Sequence, residues 1–179
     1  MTITKGMTKI HIFLLVIIVL ATATVVSCRK FEEYPPIPEI AFNDFELLVN
    51  NETGISEQGV LYISYRDGDG DIGLEQGDTL FPFEPGGSYY YNLLIRYFEL
   101  QNGVFVEPPI NFNARIPLLL PKDQKKGIKG IIRNEMFIYD PSSDFDTIQF
   151  TVQLIDRALN ISNEITTPPI VRIVPNAQP

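Results

Sequence analysis

The feature that most constrains the fold is a series of short apolar segments with no helical periodicity. These segments are rich in β-branched and aromatic residues, and Gly, Pro, Asn and Asp separate them: 40–49, 59–65, 89–100, 104–106, 112–120, 130–139, 147–155 and 165–174. No apolar stripe at helical spacing is longer than about two turns. Such segments are typical of packed antiparallel strands. The sequence therefore predicts one all-β domain over residues 39–175, an immunoglobulin-like sandwich of about seven strands.

The N-terminal segment predicts export and lipidation. Lys5 and Lys9 precede the apolar run 10–26, and the run ends in Val-Val-Ser-Cys at residues 25–28. This order is typical of a signal peptide, here with the small residue and the cysteine of a bacterial lipobox. We predict cleavage after residue 27, a lipoprotein signal peptide over 1–27, and lipidation of Cys28 with acyl chains such as palmitate. An uncleaved N-terminal anchor is the alternative, although the run is shorter than a spanning helix needs.

Residues 28–38 predict a stiff tether between the lipidated cysteine and the domain. Three of the four residues 35–38 are proline, which favours an extended polyproline conformation. The charged residues Lys30, Glu32 and Glu33 are similar to signals that route some lipoproteins to the cell surface. A solvated linker has the same composition, so the face of the outer membrane stays open. The predicted location is the cell envelope, on the outer membrane.

Composition excludes several classes of function. The chain has 14 basic and 22 acidic residues, for a net charge of -8, and removal of Lys5 and Lys9 would make it more negative. An acidic surface disfavours nucleic acid as a partner. His11 and Cys28 are the only histidine and cysteine, so the predicted mature domain has no imidazole or free thiol. Nucleophilic catalysis by Ser-His-Asp or Cys-His and zinc sites built on those residues are therefore not expected.

The acidic loop 67–78 is the candidate metal site. Asp67, Asp69 and Asp71 alternate with glycine, and Ca²⁺ prefers about six to eight hard oxygen ligands. We expect these three carboxylates to bind calcium, with the Gly73 carbonyl and Asp78 as further ligands. Asp156 is a possible ligand from across the domain. The alternative is a solvated turn in which Asp and Gly serve only as turn formers. An EF-hand is not expected, because a strand precedes the loop and Ile72 takes the place of its glycine.

Residues 65–74, which contain the motif DGDGDIG, are similar to part of a family of uncharacterised bacterial outer-membrane lipoproteins. The resemblance extends to residues 89–100 and 156–158. Residues 150–163 also resemble the last hairpin of extracellular immunoglobulin-like and fibronectin type III-like modules. The resemblance implies an outer-membrane location and an immunoglobulin-like domain, and it carries no established activity.

The expected function is therefore binding and not catalysis. The sequence predicts a lipid-anchored module of the cell envelope that binds an envelope protein or glycan or serves as an accessory subunit, with calcium stabilising its acidic loop. The alternative is a carbohydrate-active enzyme that uses a pair of carboxylates. Four acidic residues are candidates for that pair, and their spacing selects no two of them: Asp44, Glu46, Asp144 and Asp146.

Overall fold

A computed structural model describes residues 33–175 of the chain. The predicted signal peptide and Cys28 lie outside the described residues. The described part contains eight strands: β1 Glu39–Val49, β2 Ser56–Asp67, β3 Leu93–Gln101, β4 Val104–Val106, β5 Ile128–Phe137, β6 Thr147–Leu154, β7 Ile165–Thr166 and β8 Ile170–Val171. The described residues include no helix that is long and apolar enough to cross a membrane.

The strands form two antiparallel sheets. The first has the order β1-β2-β5, and the second has the order β4-β3-β6-β7, with β8 also pairing with β6. This order, with β5 returning to β2 and β6 returning to β3, corresponds to the crossed connections of an immunoglobulin-like sandwich. The predicted all-β sandwich is thus confirmed.

Two predicted segments do not form single continuous strands. Residues 112–120 form only isolated bridges, Leu93 with Ala114 and Leu74 with Pro117, because a proline has no N–H to continue a ladder. The last predicted strand is divided into β7 and β8, and Pro168-Pro169 lies between them.

Alternating side chains of both sheets build the core. Along β6, every second residue is buried: Ile148, Phe150, Val152 and Leu154. The Phe150 ring lies 5.4 Å from the ring of Phe45, which belongs to β1 in the other sheet. Burial of these faces supplies the hydrophobic stabilisation that joins the two sheets.

A buried ion pair fixes the C-terminal strand region. Arg172 lies inside the domain, and its guanidinium is 3.1 Å from a carboxylate oxygen of Glu99 on β3. The same carboxylate oxygen accepts hydrogen bonds from the hydroxyls of Tyr97 at 2.8 Å and Ser143 at 2.6 Å. The guanidinium also donates to the carbonyl oxygens of Ile138 and Phe145. The guanidinium and the carboxylate are both charged and buried, so each needs the other to offset the cost of its desolvation.

Candidate metal site

The acidic loop begins where β2 ends, in the connection that leads to β3 of the other sheet. Gly70 and Gly73 have φ angles of 75° and 104°, a backbone region that L side chains rarely adopt. The loop is held against the β6–β7 turn, because Ile72 forms a bridge with Asp156 and the Arg157 amide donates to the Asp71 carbonyl at 3.2 Å. The two glycines and the contacts with the β6–β7 turn thus fold the loop so that its alternate aspartates lie close together.

The structure brings Asp67, Asp69 and Asp71 together. One carboxylate oxygen from each residue lies within 4.8 Å of the others. Asp67 has 0% of its surface exposed. The Oδ1 atoms of all three residues are buried and have no hydrogen-bond partner. Clustered carboxylates with buried, unpartnered oxygens are costly without a cation, because burial of an uncompensated charge is unfavourable.

The remaining oxygens of the cluster hold the loop in shape. Asp67 Oδ2 accepts from the amides of Gly70 at 2.8 Å and Asp71 at 3.1 Å. Asp71 Oδ2 accepts from the Ala158 amide at 3.0 Å. Each of these two carboxylates therefore uses one oxygen to order the backbone and leaves the other without a protein donor.

Asp156, the possible ligand from across the domain, interacts electrostatically with Asp69 but is not among the described acidic residues whose oxygens converge on the site. Its two oxygens accept from the Asn160 amide at 2.7 Å and from the Asn160 side chain at 2.8 Å. Burial raises the pKa of Asp156, and the charge of Asp69 raises it further. Asp156 thus adds negative potential to the site while its oxygens order the neighbouring turn.

The electrostatics of the loop reflect crowding of like charges. Burial, and next the charge of Asp69, raise the pKa of Asp67 to about 6. Burial, and next the charge of Asp156, raise the pKa of Asp71 to about 7. Both shifts show that the folded chain disfavours the ionised carboxylates when no cation is bound.

The structure places Asp78 in a different set of contacts. Its carboxylate pairs with Arg157 and, at 3.0 Å, with the Lys122 ammonium, and it accepts from the Glu75 amide at 2.8 Å. Burial acts to raise the pKa of Asp78, but the hydrogen bonds from Arg157 and Lys122 lower it overall. Asp78 is therefore not among the described acidic residues whose oxygens converge on the site.

Gly73 is required where the loop meets another segment. A Cβ atom at this position would lie 2.2 Å from the carbonyl oxygen of Pro117.

Two basic residues near the loop, Lys122 and Arg157, were not among the sequence-predicted site residues. Arg157 follows Asp156 directly, but its partner Asp78 is 79 residues away, so no local pattern indicates the pair.

A cavity of about 420 Å³ opens beside the aspartates. It is lined by acidic and basic side chains together with apolar ones, among them Asp69, Asp71, Leu120, Lys125 and Arg157. A ligand entering here would meet both carboxylates and cationic groups.

Tyr34 and Pro35, in the described part of the predicted tether, pack against the same loop. The Gly68 amide donates to the Pro35 carbonyl at 2.9 Å. A Cβ atom at Gly68 would lie 2.2 Å from the Tyr34 carbonyl oxygen. The glycine therefore permits the tether to approach the acidic loop closely.

Comparisons with protein-family models, with curated proteins and with solved structures gave no match to the chain.

Proposed function

We propose that the chain is a lipid-anchored, non-catalytic module of the bacterial cell envelope whose immunoglobulin-like domain is stabilised by calcium at the acidic loop. One observation carries the metal proposal: one carboxylate oxygen from each of Asp67, Asp69 and Asp71 lies within 4.8 Å of the others, and each residue has a buried oxygen without a hydrogen-bond partner. A solvated turn does not explain this feature, because the Asp67 side chain is shielded from water.

Calcium fits this site better than the other common metals. Each ligand is a carboxylate oxygen, which suits hard cations, whereas zinc and copper sites favour nitrogen and sulfur. Calcium accepts an irregular shell of about six to eight oxygens, so water and backbone carbonyls would complete the set. Magnesium requires near-ideal octahedral geometry and gives up its water reluctantly.

The proposed anchor and the proposed role in binding have separate support. The lipobox at residues 25–28 supports the anchor. The mixed lining of the cavity beside Asp69 and Asp71 supports a polar envelope partner, protein or glycan, bound near the metal. The absence of histidine other than His11 in the sequence supports a role without imidazole catalysis.

Calcium is expected to raise the melting temperature of the metal-free chain. A ligand at about 100 times its Kd contributes about 2.7 kcal/mol, which corresponds to roughly 5–10 °C for a domain of this size. Asp67→Asn and Asp71→Asn should abolish the rise, because each removes a charged ligand. Scanning calorimetry with calcium, magnesium or chelator measures the effect.

Asp123→Asn is the matched control, because Asp123 is an exposed residue outside the cluster. This variant should keep the calcium response. An unchanged melting temperature in the native chain, together with no calcium heat in titration calorimetry, would exclude the metal site.

The metal-free chain should lose stability as the pH rises from about 4 to about 7. The pKa values of Asp67 and Asp71 are raised from 3.8 to about 6 and about 7. Within this window the folded chain binds more protons than the unfolded chain, so the free energy of unfolding falls with increasing pH. Urea unfolding in chelator at several pH values measures the slope.

Saturating calcium should reverse the direction of this dependence, because the metal binds the ionised carboxylates and competes with protons. The double variant Asp67→Asn, Asp71→Asn should show a flatter profile than the native chain in chelator. A metal-free native chain that becomes more stable between pH 4 and pH 7 would contradict the assignment.

A further inference from the structure

The outer edge of β5 is an open strand edge. Strand β5 pairs with β2 along its whole length, from Ile128 opposite Asp67 to Phe137 opposite Gln58. Within residues 33–175, no strand pairs with the other side of β5. Its ten residues contain no proline, and its register with β2 has no bulge. A long, regular edge of this kind is a template for another strand.

The opposite edge of the same sheet is protected. Strand β1 has two register shifts, at Phe42/Asp44 and at Leu48/Val49. The side chain of Asn163 also hydrogen-bonds the backbone of β1 at Ile40. It accepts from the Ile40 amide and donates to the Ile40 carbonyl, both at 2.9 Å. Bulges and side-chain covers are common devices against edge pairing. Strand β5 has no such bulge.

The outward-facing residues of β5 form a self-complementary pattern. Ile131 and Phe137 are 56% and 60% exposed. Between them lie the exposed Arg133 and Glu135, which form an ion pair with each other along the strand. When this pattern is read antiparallel against itself about Asn134, each apolar residue meets an apolar residue. Arg133 meets Glu135 in both directions, and Lys129 meets Tyr139.

We propose that β5 pairs antiparallel with β5 of a second copy of this chain, about a two-fold axis at Asn134. The two three-stranded sheets then form one continuous sheet. Ile131 lies opposite the partner's Phe137, and Arg133 lies opposite the partner's Glu135. Each contact occurs twice by symmetry. Aromatic with β-branched pairs and opposite-charge pairs are favourable cross-strand neighbours.

Other registers satisfy the pattern less well. Centring the axis on Arg133 or on Glu135 places like charges opposite each other. Centring it on Ile132 places Ile131 opposite an arginine and Phe137 opposite a glycine. A shift by a single residue brings the outer face of one strand opposite the inner face of the other. The charges and the exposed apolar residues therefore select Asn134.

Charge reversal tests the pairing. Sedimentation of the full chain in detergent over a range of concentrations should show a monomer–dimer equilibrium. Arg133→Glu and Glu135→Arg should each raise the dimer dissociation constant about tenfold or more, because two attractive contacts become repulsive. The double variant Arg133→Glu, Glu135→Arg should restore dimerisation. Melting temperatures of the variants show that each one folds.

Glu52→Arg is the matched control for Glu135→Arg, because it makes the same change of charge at an exposed position in the β1–β2 turn. It should leave the monomer–dimer equilibrium unchanged. Asn134→Cys in a Cys28→Ser background should form an intermolecular disulfide under oxidation. Directly opposed residues lie about 4.5–5.5 Å apart between Cα atoms, which suits a disulfide.

A chain that stays monomeric at every concentration would overturn the proposal. Single charge reversals without effect on the dimer, or no disulfide at position 134, would overturn it equally. The acidic loop takes no part in this pairing, so a failure of the calcium proposal leaves the test valid.

Discussion

Arg172→Met is expected to destabilise the domain by about 3–5 kcal/mol, the cost of breaking a buried ion pair by removing one partner. The methionine would fill much of the space of the arginine stem but leave the Glu99 carboxylate buried without its cation. The carbonyl oxygens of Ile138 and Phe145 would lose their donor as well. Urea unfolding at neutral pH measures the loss.

Arg96→Met is the matched control, because Arg96 also pairs with a glutamate, Glu107, but on the surface. Exposed pairs contribute about 0–1 kcal/mol, so this variant should unfold at nearly the native urea concentration. Equal losses in the two variants would show that burial of the Arg172 pair does not govern its contribution. The double variant Arg172→Met, Glu99→Gln should recover part of the loss, because no charge stays buried.

Cys28→Ser is expected to move the protein from the membrane fraction to the soluble fraction. Acyl chains bind a bilayer with about 0.8 kcal/mol per buried CH₂ group, so their loss removes the proposed anchor. Incorporation of labelled palmitate should be lost in the same variant. Ser27→Ala is the matched control, because it keeps a small residue before the cysteine and should preserve both labelling and membrane retention.

The result also separates the two readings of the N-terminal segment. A Cys28→Ser protein that stays in the membrane at its full length would favour an uncleaved anchor. Native protein without acyl label would contradict lipidation directly.

The fold was predictable where local pattern and pairing agree. Strand β4 has the predicted bounds, since Asn102-Gly103 takes up positive φ angles in the turn before it. Strand β3 begins later than predicted, at Leu93. Before it, the Asn92 side chain binds both the amide and the carbonyl of Ile116, a long-range contact that the local sequence does not indicate.

The candidate site was predictable in part for the same reason. The alternation of Asp and Gly places Asp67, Asp69 and Asp71 on one loop, and the structure brings their oxygens together. The contacts of Asp78 depend on Lys122 and Arg157, which are distant in sequence. Arg172 is buried between the exposed Val171 and Ile173, and the local pattern does not indicate this because both faces of the segment carry apolar residues. Its carboxylate partner could not be chosen from sequence.

The contact between Gly68 and Pro35 has a mechanical consequence. A pull on the chain before Glu33 enters the domain at Tyr34 and Pro35, where the Gly68 amide is bound. The next resistance is the β1–β2 ladder, which runs from Glu39 opposite Arg66 to Val49 opposite Ser56. Force along this strand loads its hydrogen bonds together in shear. A cation in the acidic loop would stiffen the segment around Gly68, where the force enters the domain. Bound calcium would therefore determine how strongly this end of the domain resists a pull from the tether.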